Sequence, residues 1–282
     1  MQPAVSWTAS VNEAIARRRD CWDARHPSEI PVLPFVTHAL HPELAALVRR
    51  IGVRRRYRAG SAFVQKGSPV SDLALLENGV SARTLGSAGR AIAISLPDRI
   101  AFGNLNFFSG QPCFGSYYAV TECELTLVPQ ELMRRILEQD PGLSWLLCTQ
   151  FELARQSDRL SLAMLPQLQT SERLKAFFLS WCATLGHFET DPDGARWISA
   201  PSPVARREIC RVVNASEVSV NLELAAWRRS RDLESARRSI RVKPSLFEPV
   251  WDWILRAEEP GAVSRSRTLE EALSDFLGTK AP

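Results

Sequence analysis

The chain has 282 residues, 45% of them hydrophobic, and a formal net charge of +4. That length and apolar content suffice for two ordinary hydrophobic cores, and so mild a charge neither requires nor excludes a nucleic-acid partner. No run of about 18 apolar residues is present to span a bilayer, and six scattered cysteines argue against a disulfide framework or a zinc site, so we expect a cytoplasmic protein of two domains without a membrane partner.

Residues 1–44 are predicted to form an N-terminal arm. Residues 11–25 are compatible with a helix, whereas three prolines between positions 27 and 34 interrupt regular structure after it. Pro42 lies where the first turn of a short helix is expected to lead into the next segment. Near that start, His38 and His41 are expected to cap the helix rather than to bind a metal.

Three glycines, Gly60, Gly67 and Gly79, separate short apolar runs in the next segment. Glycine accommodates positive φ and therefore marks tight turns between strands. Spacings of seven and twelve residues between the three glycines are typical of a compact antiparallel roll. We predict a β-roll sensor domain over residues 45–128, with strands that include 91–96 and 119–128.

Residues 129–168 are predicted to be helical. Apolar residues recur there at three-and-four spacing, with one interruption at Asp158. So long a seam indicates a partner, which is either a second copy of the chain or the chain's own roll. The residues of this seam, which form the predicted dimer interface if the partner is a second copy, are Leu143, Leu147, Phe151, Ala154, Asp158, Leu162 and Leu165.

A helix-turn-helix is predicted from residue 206 onward. Residues 206–216 have the length and apolar pattern of its first helix and turn, and residues 217–233 have those of its second helix. Residues 233–242 resemble the β-wing that follows such a motif. Ten basic residues stand against five acidic ones between positions 206 and 243. Positive charge is therefore concentrated where DNA is expected to bind.

Taken in order, the glycine-punctuated roll, the long helix and the helix-turn-helix resemble the Crp/Fnr family of bacterial transcription regulators, over roughly residues 45–243. The resemblance implies an α+β fold with an N-terminal cyclic-nucleotide-binding-like β-roll, a long dimerisation helix and a C-terminal winged helix-turn-helix at residues 169–243. It also implies a homodimer that binds double-stranded DNA, with RNA polymerase as a further possible partner. Residues 244–282 are left as a C-terminal helical extension, in which Thr268 and Glu271 fit a capping box.

The segment that binds the effector in this family differs here. Asn104 stands where cyclic-nucleotide binders have a Glu, and Cys113 and Phe114 stand where they have an Arg-Ser pair. Because a segment without Arg lacks a bidentate phosphate clamp, we do not expect control by cyclic AMP. The candidate effector pocket either holds an apolar ligand or is filled by its own side chains; its residues are Gly103, Asn104, Phe107, Phe108, Cys113, Phe114, Tyr117 and Tyr118.

Metal cofactors receive little support from the sequence. An iron-sulfur cluster needs several converging cysteines, but the arm has only Cys21, and Cys123 is three residues from the position that the resemblance requires. Haem stays open as an alternative, because one histidine ligand suffices and His26, His38 or His41 could supply it.

The predicted recognition helix also departs from the family. An ungapped match puts Val218, Asn221 and Leu222 where family members carry charged or polar readers of bases. These residue types suit thymine methyls and adenine, so an A·T-richer site is expected. The candidate DNA-binding residues are Arg206, Arg207, Ser216, Glu217, Val218, Ser219, Asn221, Leu222, Arg228, Arg229, Arg237 and Arg238.

The alternative function is that of a Crp/Fnr-like protein that has lost sequence-specific DNA reading and acts as a protein-interaction or sensory module. Exposed apolar residues at Val218 and Leu222 would favour that alternative, whereas a basic rim around them would favour DNA. Catalytic motifs such as a phosphate-binding loop, a nucleophile elbow or a zinc-binding helix are not found in the sequence, and no enzyme activity is expected.

Overall fold

A computed structural model describes residues 32–85, 91–103, 106–236, 238–257 and 268–278. Contacts divide the chain into two compact units. Of the described residues, the first unit has mainly those from 37 to 85 and from 94 to 157, and the second has those from 158 to 278 with the short segments 33–36 and 91–93. The helix predicted at residues 11–25 lies outside the described residues.

The first unit begins with helix α1 (Pro42–Ile51) and continues as eight short strands. The Nδ1 atom of His41 accepts a hydrogen bond from the backbone N–H of Glu43, so this histidine caps α1 as predicted. The strands are β1 (Val53–Tyr57), β2 (Ala62–Val64), β3 (Asp72–Asn78), β4 (Ser81–Thr84), β5 (Ala91–Ser95), β6 (Arg99–Phe102), β7 (Tyr117–Ala119) and β8 (Cys123–Pro129).

These strands form two four-stranded sheets. One sheet has the order β1-β8-β3-β6 and the other the order β2-β7-β4-β5. Gly60, Gly67 and Gly79 have φ values of 82°, 84° and 92°, which confirms that all three make turns with left-handed backbone. The predicted roll is therefore confirmed as two sheets, whose strands are short because a turn follows every few residues.

Two helices follow the roll: α2 (Gln130–Gln139) and the 27-residue α3 (Pro141–Gln167). Asp140 separates them with an extended backbone, and the Asp140 side chain accepts a hydrogen bond from the N–H of Leu143. The predicted helical region is therefore confirmed as two helices with a break between them.

The second unit contains the helix-turn-helix and its wing. Helix α4 (Thr170–Leu185) precedes strands β9 (His187–Thr190) and β10 (Arg196–Pro201), helices α5 (Arg206–Val213) and α6 (Glu217–Arg229), and strands β11 (Leu233–Ser235) and β12 (Ser239–Val242). The four strands pair in the order β11-β12-β10-β9. Helix α6 ends at Arg229, four residues earlier than predicted, because Arg231 adopts a left-handed φ of 59° and Leu233 already belongs to the wing.

The C-terminal extension is helical as predicted, with a 3₁₀ turn (Pro244–Phe247), α7 (Glu248–Ala257) and α8 (Leu269–Gly278). Trp251 and Ile254 are buried, so α7 is docked through one face. The capping box at the start of α8 is confirmed, since Thr268 and Glu271 exchange hydrogen bonds of 2.9 and 3.2 Å. None of the helices within the described ranges is long and apolar enough to cross a membrane.

Candidate nucleic-acid interface and effector site

The start of helix α6 is set by Ser216. The Ser216 Oγ accepts a hydrogen bond of 3.1 Å from the backbone N–H of Ser219, and the two hydroxyls lie 2.9 Å apart. Ser216 is therefore the N-cap of the helix, and its hydroxyl has this structural role whether or not it also contacts a base. The next residue, Glu217, lies exposed in the first turn, where a carboxylate interacts favourably with the helix dipole.

One face of α6 is open to solvent. Val218 is 68% exposed and Leu222 is 64% exposed, whereas Val220, Leu224 and Trp227 on the opposite face are buried. Asn221 is exposed on the open face too, and its Oδ1 accepts a hydrogen bond from the guanidinium of Arg206 at the start of α5. The three residues predicted to read bases are therefore brought together on one surface.

Several guanidinium groups of the helix-turn-helix and of the wing have no carboxylate partner in the described part of the chain. Among the residues that the structure describes, no carboxylate lies within ion-pairing distance of Arg206, Arg228, Arg229 or Arg238. Arg207 differs, because its Nε lies 3.2 Å from Glu208. Arg237 lies outside the described residues. Four of the six candidate arginines are thus without a carboxylate partner among the described residues, and their role in DNA binding stays a prediction.

Arg173 connects the turn of the helix-turn-helix to the preceding segment. Its guanidinium, on α4, donates to the carbonyls of Val213 and Asn214 at 2.8 and 3.1 Å. It also donates to the carbonyls of Leu165 and Leu168 at 3.1 and 2.8 Å. Asn214 is the left-handed residue of the turn, with φ of 50°. Sequence analysis missed Arg173, because its partners in the turn are backbone atoms about 40 residues further along the chain.

The residues predicted to form an effector pocket differ in their surroundings, and the pocket stays a prediction. Phe107 is buried and its ring packs 5.0 Å from Phe108, which in turn lies 5.7 Å from Phe151 of helix α3. Phe114 is 65% exposed. Tyr117 points into the roll, and Tyr118 follows it on the opposite face of β7. Of the remaining residues, Gly103 and Cys113 are buried and Asn104 lies outside the described residues.

The interior of the roll contains a row of aromatic rings that ends at an arginine. Tyr57 packs 4.8 Å from Phe63, Phe63 lies 5.9 Å from Phe102, and Phe102 lies 6.1 Å from Tyr117. The guanidinium carbon of Arg83 is 5.8 Å from the centre of the Tyr117 ring. Sequence analysis missed Arg83, because it precedes the segment 103–119 and reaches Tyr117 only through the pairing of β4 with β7.

Most cysteines of the described residues are buried, as is His41, whereas Cys148 and His187 are exposed. Burial lowers the pKa of His38 to about 4, and the nearby Arg99 guanidinium adds to the effect. Burial likewise raises the pKa of Cys182 to about 12. Within the described ranges, no group of three or more His, Cys, Asp and Glu side chains is placed to hold a metal ion. Cys21 and His26 lie outside those ranges, and haem binding stays untested.

Comparisons with known proteins agree with this architecture. Residues 54–140 match the family model described as a cyclic nucleotide-binding domain. FixK2 from Bradyrhizobium japonicum superposes with a TM-score of 0.58 at 19% identity, over 68% of this chain and 92% of FixK2. The transcriptional regulator TTHA1359, of the CRP/FNR family, from Thermus thermophilus gives 0.53 at 17%, over 71% and 98%. The chain has the Crp/Fnr fold.

A third structure extends the same comparison. A CooA mutant from Carboxydothermus hydrogenoformans superposes with a TM-score of 0.60 at 14% identity, over 77% of this chain and 97% of that protein. A search of curated protein sequences finds no significant match. The assignment to the Crp/Fnr fold therefore rests on the family-model match of residues 54–140 and on the superposition with these solved structures.

Within this Crp/Fnr fold, the predicted dimer interface is only partly exposed. Leu143, Leu147, Phe151 and Ala154 are buried within the single chain, Asp158 and Leu165 are half-buried, and Leu162 is exposed. One row of exposed positions on α3 recurs at three-and-four spacing: Cys148, Glu152, Arg155, Arg159 and Leu162. An apolar repeat indicates that one face of a helix is covered, but it does not identify the covering element. Dimerisation through α3 therefore stays a prediction.

Proposed function

We propose that this protein is a DNA-binding transcription regulator of the Crp/Fnr type, which acts as a homodimer in the cytoplasm and is not controlled by cyclic AMP. The observation that carries the proposal is the exposed face of α6, with Arg228 and Arg229 on the same helix and Arg206 bonded to Asn221. Guanidinium groups without a carboxylate partner in the described part of the chain are available to phosphate oxygens, which supply most of the affinity of a protein for DNA.

The exposed residues of α6 support a preference for A·T pairs. Val218 and Leu222 are one helical turn apart and both project into solvent, where they can contact the methyl groups of thymines in a major groove. Asn221 pairs with adenine when its amide is released from Arg206. Arg206 is then free to bind a neighbouring phosphate, so base contact and phosphate contact are coupled.

Homodimerisation is part of the same proposal, because two copies of α6 must reach successive major grooves to recognise a two-fold symmetric site. Among the predicted positions, Asp158 and Leu165 are half-buried and Leu162 is exposed, all three near the C-terminal end of α3, so a second copy of the chain can reach them. Asp158 from two chains would repel across a two-fold axis, so we expect dimerisation to weaken as salt concentration falls.

Independence from cyclic AMP is supported by the residues at the phosphate position of the roll. Cys113 is buried there, and its backbone is hydrogen-bonded to Ser68 and Gly67. Phe114 is 65% exposed, and its side chain offers no donor to a phosphate. The roll thus keeps the fold of a cyclic nucleotide-binding domain without the usual phosphate donors in this segment.

The second candidate is a protein-interaction module that uses the same surface. It is favoured by the exposure of two apolar side chains, Val218 and Leu222, which do not belong to the buried face of α6. The arginines around these side chains favour DNA, and for that reason the regulator is our first choice.

The deciding experiment is selection of bound sequences from randomised duplex DNA, followed by affinity measurement across a salt series. We expect enrichment of a two-fold symmetric, A·T-rich site with an affinity that falls steeply as salt rises. Neutralising Arg228 (Arg228→Gln) should weaken binding to all sequences and reduce the salt slope by about one for each phosphate that is no longer neutralised. Arg50→Gln, at an exposed arginine on α1, is the matched control and should change neither quantity.

The double variant Val218→Ala with Leu222→Ala separates the two candidates. If these side chains read thymine, the variant keeps its non-specific affinity and loses preference at the T positions of the selected site, by about 1–3 kcal/mol per position. Sequence-blind binding by the unaltered protein, or no binding, would contradict the regulator proposal and favour a protein partner.

A further inference from the structure

The second unit contains an apolar pocket of about 200 Å³ between the helix-turn-helix and its wing. Its walls are buried residues of α4, α5, α6, the wing and the segment before α5: Phe178, Val204, Ile209, Leu224, Leu233 and Ile240. Because these side chains are almost fully shielded from solvent, a ligand body that contacts them is removed from water. We infer that the pocket binds a small phosphate monoester with an aliphatic body, and that this ligand competes with DNA.

Polar side chains from four places in the unit also line this pocket: Ser202, Arg206, Arg228 and Ser235. Arg206 begins α5 and Arg228 lies in the last turn of α6, so guanidinium groups from two helices border one space. Both side chains are exposed, and neither has a carboxylate within ion-pairing distance among the described residues. The pocket therefore combines an apolar interior with positive charge at its edge.

The donors at the edge favour a phosphate group over a carboxylate. Arg228 donates to the Ser235 hydroxyl at 3.4 Å, a long hydrogen bond that a ligand oxygen can replace at little cost. A carboxylate has a single charge and two oxygens, whereas a phosphate monoester has three terminal oxygens and nearly a second charge at neutral pH. The phosphate can thus engage both guanidinium groups and a hydroxyl at the same time.

The volume and the walls restrict the rest of the ligand. An apolar cavity of about 150 Å³ holds benzene, so a pocket of about 200 Å³ accepts an aliphatic body of roughly six to eight carbons. The walls are aliphatic except for Phe178. A nucleotide is larger than this space, and its sugar and base would place polar groups against apolar walls. The expected occupant is therefore a short alkyl phosphate.

Arg206 connects the pocket with the exposed face of α6, because its guanidinium donates to the Oδ1 atom of Asn221. A phosphate bound in the pocket holds Arg206 and Arg228 away from the phosphates of DNA, and each lost contact weakens binding to every sequence. This competition rests on the proposed function, whereas binding of the ligand does not. A gap in the packing that binds nothing is the competing explanation that the test must separate.

The test is calorimetric titration of the full-length protein with hexyl phosphate, and in separate titrations with hexanol and with inorganic phosphate. We expect one hexyl phosphate to bind per chain. Hexanol and inorganic phosphate should each bind at least tenfold more weakly, because each lacks one part of the ligand. Butyl phosphate should bind about fifteenfold more weakly than hexyl phosphate, since each buried methylene contributes about fourfold.

Two variants locate the site. Arg228→Gln should weaken hexyl phosphate binding at least tenfold through loss of hydrogen bonds to a charged group. Arg229→Gln makes the same exchange at the next residue of α6, which is exposed and does not line the pocket, and it should leave the affinity unchanged. Ser202→Leu, at a half-buried position of the lining, should block the pocket and weaken binding at least tenfold.

Absence of hexyl phosphate binding, equally tight binding of hexanol, or binding that Arg228→Gln and Ser202→Leu leave intact would overturn the site. DNA affinity is then measured with and without saturating hexyl phosphate. We expect the ligand to weaken DNA binding and to lower the salt slope by about two, and an unchanged DNA affinity would overturn the competition. A protein that binds no DNA at all would refute the proposed function, while the titrations still decide whether the pocket binds its ligand.

Discussion

Replacing Arg173 by Met tests whether one side chain holds the turn of the helix-turn-helix. Arg173 is only 9% exposed and donates five hydrogen bonds, four of them to backbone carbonyls and one to the Thr170 hydroxyl. Burial lowers the pKa of Arg173, yet its charge is retained because an arginine stays protonated at any physiological pH. Methionine has a similar length and keeps the packing of the stem, so the change removes mainly the donors.

The expected loss of stability follows from the carbonyls left without a donor. An acceptor that loses its partner in a partly buried site costs about 1 kcal/mol at the lower end of the usual range, and four such carbonyls give about 4 kcal/mol. Relief of the buried charge offsets part of this loss, so we expect about 3 kcal/mol. With a typical dependence of the free energy of unfolding on urea concentration, the urea concentration at the midpoint of unfolding should fall by roughly 1–3 M.

The assay is urea unfolding followed by tryptophan fluorescence, because Trp181 and Trp227 are both buried in the second unit. Arg256→Met, at an exposed position of α7, is the control and should change the free energy of unfolding by less than about 0.5 kcal/mol. A shift for Arg173→Met no larger than that of the control would refute the argument that these backbone contacts stabilise the helix-turn-helix.

Three further predictions follow from local features of the fold. A Cβ added to Gly115 would lie 1.8 Å from the carbonyl oxygen of Thr84, so Gly115→Ala should destabilise the roll by about 3 kcal/mol in urea unfolding. Gly110→Ala is the control, because a Cβ added there meets no atom within 4 Å. Its φ of 64° alone should cost about 1 kcal/mol. The pKa of His38 falls from 6.5 to about 4 on folding, so the unfolded chain binds more protons between these pH values. The free energy of unfolding should therefore decline as pH drops from 6.5 to 4, by up to about 3 kcal/mol more than for His38→Gln. Parallel curves of stability against pH for the two proteins would contradict this. Ser216→Ala removes the N-cap of α6 and should cost about 1 kcal/mol, whereas an unchanged unfolding midpoint would show that the cap is dispensable.

Local features of the second unit were predictable to within a few residues. The capping box at Thr268 and Glu271 depends on side chains three positions apart, which any helix start brings together. The helix-turn-helix was found at the right place, but the end of α6 was predicted four residues late. Periodicity describes which residues share a face, and it does not detect the left-handed Arg231 that ends the helix.

The sequence by itself determined the turns of the roll, the helical stretches and the concentration of positive charge around α6, because glycine conformation, helix periodicity and charge are properties of neighbouring residues. Only the tertiary structure decided that Leu143 and Leu147 are buried within the chain and that Arg83 lies opposite Tyr117. Burial depends on what covers a face, and strand pairing joins residues that are more than 30 positions apart. Neither property is encoded in the pattern of a short segment.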